Sequence, residues 1–171
     1  MKQVILFLGA LVLTLSACTK SENTLETTDI LRNGKWKMSA FTVRFPYMGA
    51  DSVYDIYKNL GDCRYDDYLV FNDDYKGLQM NGTKKCGSES SELPFEWELR
   101  NNNKVLMMNN AQYTIGYAPA LPITPVGKEY VEATIRKINK ALMTITYETV
   151  VQTSVTTAPI TYNFTQTFIR Q

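Results

Sequence analysis

The chain has 171 residues, 18 basic against 17 acidic side chains, and no histidine. One ordinary domain of that length can bury a core of its own. Without histidine the commonest general base, zinc ligand and physiological pH switch are all missing, and a formal net charge of +1 leaves no electrostatic footprint for nucleic acid or an anionic surface.

The first stretch reads as an address. Lys2 is a positive start, Val4 to Leu15 is an apolar run, and the small residues Ser16 and Ala17 precede Cys18. About 20 apolar residues are needed to cross a bilayer, so this run is too short. Leu15-Ser16-Ala17-Cys18 resembles a bacterial lipobox. The resemblance implies that residues 1–17 are a lipoprotein signal peptide, that the Cys18 sulfur receives a diacylglycerol, and that the amine freed by cleavage is acylated. Several acyl chains, at about 0.8 kcal/mol per buried methylene, give stable membrane anchoring without a transmembrane helix. Residues 18–28 are polar and lack apolar periodicity, so a flexible tether is expected. Thr19 is not the aspartate that, by resemblance to known sorting rules, holds lipoproteins at the inner membrane. The implied location is therefore the outer membrane, with its periplasmic face and the cell surface both left open.

Cys63 and Cys86 remain once Cys18 carries lipid. In an envelope protein they most simply form one disulfide, worth about 2–4 kcal/mol. The alternative is a free thiol, for which no histidine is present as an activator.

Residues 29–171 read as one all-β domain. Asp29 to Asn33, stopped by Gly34, predicts a single helical turn. Period-two alternation then begins: Lys35, Lys37 and Ser39 on a wet face, Trp36, Met38 and Ala40 on a buried one. Phe45 to Asp51 is expected as a loop, and Val53 to Leu60 as a short helix over an open end of the sheet. Asp67 to Phe71 and Tyr75 to Met80 form a predicted hairpin across Asn72-Asp73-Asp74. That geometry brings Cys63 and Cys86 together and supports their pairing independently of compartment. Phe95, Trp97 and Leu99 alternate with Glu96, Glu98 and Arg100 in the cleanest strand. Val105 to Met108 and Gln112 to Tyr117 follow, then a proline-bearing loop over Ala118 to Gly127 that belongs at a rim. Glu129 to Ile138 and Ala141 to Val150 meet at Asn139-Lys140, and Ile160 to Arg170 closes the chain with Tyr162, Phe164 and Phe168 on one face. About nine hairpin-ordered strands argue an antiparallel meander. Closure into an up-and-down barrel removes its open edges, with a β-sandwich as the alternative.

Gly34-Lys35-Trp36 at the start of the first strand resembles the Gly-x-Trp signature of lipocalins, and Arg170 resembles the lipocalin arginine that packs across that tryptophan. Cys63 to Phe71, Cys86, and Phe95 to Leu99 look like the lipocalin-like domain of small lipoproteins from gut-dwelling Gram-negative bacteria. The resemblance runs from about residue 30 to the end and implies a calycin-like barrel in the envelope. The second and third signatures of secreted lipocalins are missing, and the family carries no agreed ligand to transfer.

Two functions from different classes follow. As a binding protein, the barrel holds a small apolar or amphipathic molecule against Trp36, Met38, Trp97, Tyr162, Phe164 and Phe168. Met107 and Met143 are also expected to look inward, where methionine makes a deformable lining. Small barrels also fill their interiors with side chains, and the balance here favours a filled or partly filled one. As a protein-binding or enzyme-inhibitor lipoprotein, it uses a filled core and an exposed patch on the Phe45 to Tyr47 or Ala118 to Val126 loops. Asp66, Asp67, Asp73 and Asp74 match no calcium-loop spacing and read as turn formers. No metal, cofactor or enzymatic activity is expected. Asp51-Ser52-Val53 resembles an O-glycosylation acceptor, with Ser52 as the attachment residue.

Overall fold

A computed structural model describes residues 23–85, 87–88, 90–109, 130–151 and 159–171, with side chains from Thr27 onward. Helix α1 (Asn23–Arg32) is longer than the single turn expected and starts inside the stretch read as tether. Thr27, Ile30 and Leu31 are buried, which puts them on one stripe at the three- and four-residue helical spacing. That stripe is what docks the helix on the barrel, because so short a helix gains little from propensity alone.

Nine strands follow: β1 (Lys35–Tyr47), β2 (Ala50–Asp55), β3 (Tyr68–Phe71), β4 (Lys76–Met80), β5 (Glu92–Arg100), β6 (Val105–Asn109), β7 (Tyr130–Ile138), β8 (Leu142–Val151) and β9 (Ile160–Arg170). Every pairing is antiparallel, and β1 pairs with β9 to close the ring. The result is an eight-stranded up-and-down barrel with β2 attached outside it. Closure excludes the sandwich.

The helix expected over Val53 to Leu60 is replaced by β2 and a short 3-10 turn, Tyr57–Asn59, and a second such turn, Asp62–Arg64, follows it. The reason lies in β1. On one edge β3 covers only Lys35 to Lys37, which leaves Thr42 to Tyr47 unpaired until β2 folds back on them. The Phe45 to Asp51 loop is likewise strand, turned at Met48 and Gly49 with φ of 50° and 80°. Backbone of that hand suits glycine and matches strand twist in a tight hairpin.

A bulge between Met38 and Ala40 shifts the phase of β1, so Ala40 is turned out and Phe41 and Val43 are turned in. Ser39 Oγ donates to the Thr167 carbonyl across that irregularity. Met107 also departs from expectation: Leu106 and Met108 face the core, while Met107 lies on the outer face, covered but outside the core cluster. Asn139 shapes the β7–β8 turn by accepting from the Ala141 and Leu142 amides, each at 2.9 Å. The strand expected over Gln112 to Tyr117, the Ala118 to Gly127 loop and most of Val151 to Pro159 fall outside the described residues.

Candidate functional site: the barrel interior and its two ends

Inward residues of seven of the eight ring strands form one apolar core, β4 contributing Gly77 and Gln79 instead, and the six residues predicted to line a ligand space all belong to that interior. The structure divides them between two ends. Trp36, Met38, Trp97 and Phe168 gather where α1 seals the barrel. Trp36 Nε1 donates to the Leu31 carbonyl at 2.9 Å, so the indole closes one of the open carbonyls at the helix C-terminus. Met38 stands opposite Phe168 in the β1–β9 ladder. Trp97 Nε1 donates to the Lys76 carbonyl at 2.8 Å, and Phe71 meets both Phe95 and Trp97 edge-on at about 5.5 and 5.4 Å.

Arginines cover this end. Arg32, at the end of α1, lies 5.7 Å from the Trp97 ring centroid and 3.3 Å from Asp73. Arg170 stands opposite Trp36 and lays its side chain over Gly34, where a Cβ would sit 2.5 Å from Nε. Gly77 is needed for a similar reason: a Cβ there would meet the Phe95 ring at 2.2 Å. The glycine of Gly34-Lys35-Trp36 thus leaves space for the arginine that closes the barrel.

Tyr162 and Phe164 belong to the opposite end, the mouth. Phe45 packs on Tyr162 at 5.3 Å, Tyr147 stacks on Phe164 at 4.9 Å, and Phe41 tilts against Phe164 at 5.9 Å. Burial pushes the Tyr147 hydroxyl well above its ordinary pKa, so it is neutral across the physiological range. Ile56, between β2 and the first 3-10 turn, is buried in the same core. The β6–β7 and β8–β9 connections leave from this end and lie outside the described residues.

Gln166 sits between the two groups. It occupies the inward phase of β9, with Phe164 and Phe168 on the same face and Phe41 and Ile145 directly opposite on the flanking strands. It is 0% exposed, and among the described residues neither side-chain Nε2 nor Oε1 has a hydrogen-bond partner. Sequence reasoning passed over it because glutamine is not a core residue type, although a lone polar residue in the apolar phase of β9 was the available signal. Gln79 Oε1 is also buried without a partner among the described residues, between Leu69 and Leu93 in the ladder.

The four aspartates weighed as a calcium site do not converge. Asp66 Oδ2 accepts from the Thr83 amide and hydroxyl, both at 2.6 Å; the hydroxyl bond is the main cause that lowers its pKa. Asp67 accepts from the Gly82 amide at 3.1 Å and pairs with Arg64 at 3.4 Å, but desolvation dominates and raises its pKa. Asp73 pairs with Arg32 instead, and Asp74 is a turn residue at φ 59°. Among the described residues no group of three metal-ligating side chains forms.

Cys63 lies on the second 3-10 turn and is not a free side chain. Cys86 and Cys18 are outside the described residues, and Ser52 is half-buried on β2. Two grooves lie on the outside of the wall. One, of about 830 Å³, is lined by polar side chains including Thr42, Arg44, Glu132, Thr146 and Glu148. The other, of about 470 Å³, includes Lys76, Glu96, Met107 and Tyr130.

A family model described as a lipocalin-like domain matches residues 33–118, half of the chain. No curated protein and no solved structure matches it.

Proposed function

The chain belongs to the lipocalin-like domain family, and from that premise we propose that it is a lipid-anchored binding protein that takes a small apolar or amphipathic molecule into the mouth of its barrel. The observation that carries this reading is the asymmetry of the interior. One end is sealed by α1 and two arginines, while the other is a cluster of Phe41, Phe45, Tyr147, Tyr162 and Phe164 with no α-helix over it among the described residues. Apolar walls with few polar groups are the usual lining of a small-molecule site. In this reading Cys18 carries the lipid and holds the domain at the outer membrane, and a Cys63–Cys86 disulfide ties the turn before β3 to the segment after β4.

Native mass spectrometry of the mature protein purified from its own envelope tests the reading. A defined added mass that leaves on denaturation is expected, together with a diacylglycerol-bearing N-terminal Cys18 and a mass two hydrogens below that of the reduced chain. A bare polypeptide mass under gentle extraction would count against the binding function.

A protein-partner reading is favoured by one feature. The β1–β2 hairpin presents Tyr47 and Met48 at 57% and 88% exposure, far more apolar surface than its tip needs for the turn. Crosslinking from residue 48 in intact envelopes distinguishes it, since a discrete protein adduct is expected from that reading and none from the first.

A further inference from the structure

Gln166 is the interior side chain whose polar atoms both lack a partner among the described residues. Buried polar atoms are nearly always paired, and leaving one unpaired costs about 1–3 kcal/mol. Here a whole amide, two N–H donors and one carbonyl acceptor, is buried beside apolar neighbours in the sheet and left without partners among the described residues. A leucine or methionine would fill the space at no such cost. A group that supplies both an acceptor and a donor satisfies it.

Building on the binding reading above, we propose that Gln166 is the residue that selects the ligand's head group, and that this head group is uncharged and both donates and accepts, as a hydroxyl or a carboxamide does. The position supports it. Gln166 lies four residues from Tyr162 along β9, about 14 Å at strand spacing, so a molecule entering past Tyr162 and Phe164 reaches the amide with its far end. The neighbours set the charge. Phe41, Ile145, Phe164 and Phe168 flank Gln166 in the sheet and are all buried and apolar. None can compensate an ion, and an unpaired buried ion is costlier than any buried neutral group. A carboxylate, moreover, only accepts, and leaves Oε1 of the glutamine unpaired.

The test compares three probes with one ten-carbon apolar body: decanamide, decan-1-ol and decanoate, titrated calorimetrically at neutral pH into the full chain and into Gln166→Leu. Using the full chain throughout lets any affinity of the leader for the probes cancel between the two proteins. The wild type is expected to bind decanamide and decan-1-ol at least tenfold more tightly than decanoate. Gln166→Leu is expected to weaken those two by tenfold or more, leave decanoate unchanged, and melt no lower than the wild type. If Gln166→Leu does not fold, Gln166→Met, closer in shape, makes the same comparison.

A preference that persists undiminished in the variant, or a wild type that does not distinguish the heads, overturns the role of Gln166 and leaves the binding reading standing. That is also the outcome if the amide only holds an internal water. No binding of any probe by the wild type overturns both.

Discussion

The two ends of the barrel are built from the same kinds of residues and are held in different ways. At the sealed end both indoles are fixed by something beyond packing: Trp36 and Trp97 donate to the carbonyls of Leu31 and Lys76, and Arg32 and Arg170 lie over Trp97 and Gly34. At the mouth, Phe41, Phe45, Tyr162 and Phe164 meet through ring contacts. Hydrogen-bonded indoles specify one arrangement, whereas ring contacts at sheet ends tolerate rearrangement around a guest. The comparison teaches that aromatic content alone does not mark a binding site; what pins the aromatics does.

Trp36→Ala should have the largest effect. It deletes a fully buried indole and the bond to α1, and a loss of about 3–5 kcal/mol is expected in denaturant unfolding. A loss below about 1 kcal/mol would show that the sealed end is not structural. Gly77→Ala comes next, because its Cβ would press into the Phe95 ring; overpacking of this kind costs about 1–3 kcal/mol. Tyr162→Ala should separate the ends, with a smaller stability loss of about 1–2 kcal/mol, in the range of most point changes, but disappearance of the mass that accompanies the wild type in native spectra. Equal losses of stability at Trp36 and Tyr162 would erase the distinction.

The smallest effect concerns acid. Asp66 has its folded pKa lowered by Thr83. Its contribution is therefore complete above the unfolded aspartate value of about 3.9 and is lost as pH falls from there through the lowered folded value. Asp66→Asn should be slightly less stable at neutral pH and lose less on acidification, as read from melting temperatures between pH 6 and 3. An unchanged acid slope would mean that the Asp66–Thr83 contact contributes nothing.

Much of the barrel was legible because period-two alternation is local: Phe95-Glu96-Trp97-Glu98-Leu99 and Tyr162 to Phe168 announce strand and facing together. The Gly-x-Trp resemblance also pointed to the sealed end, though the cation over an indole is Arg32 on Trp97. What was not legible depends on partners distant in sequence. Val53 to Leu60 reads as a helix until the short reach of β3 leaves an edge of β1 for β2 to fill. Ala40 reads as inward until the bulge at Ser39 moves the phase, and Met107 as inward until its neighbours claim the core. The division of the six aromatic and methionine candidates between two ends follows from where α1 docks, which no spacing within β1, β5 or β9 encodes. Gln166 was visible as an anomaly in β9, but only the closed ring shows that none of the described residues satisfies it.

The most direct test of the separation is hydrogen exchange on the full chain, comparing protein that holds its co-purified molecule with the same protein stripped of it. Slower exchange on loading is expected in β8 and β9 around Tyr147 and Tyr162 to Gln166, with α1 and the Trp36 segment unchanged. Protection that appears at α1 and the Trp36 segment, while the mouth stays the same, would contradict the assignment of binding to the mouth.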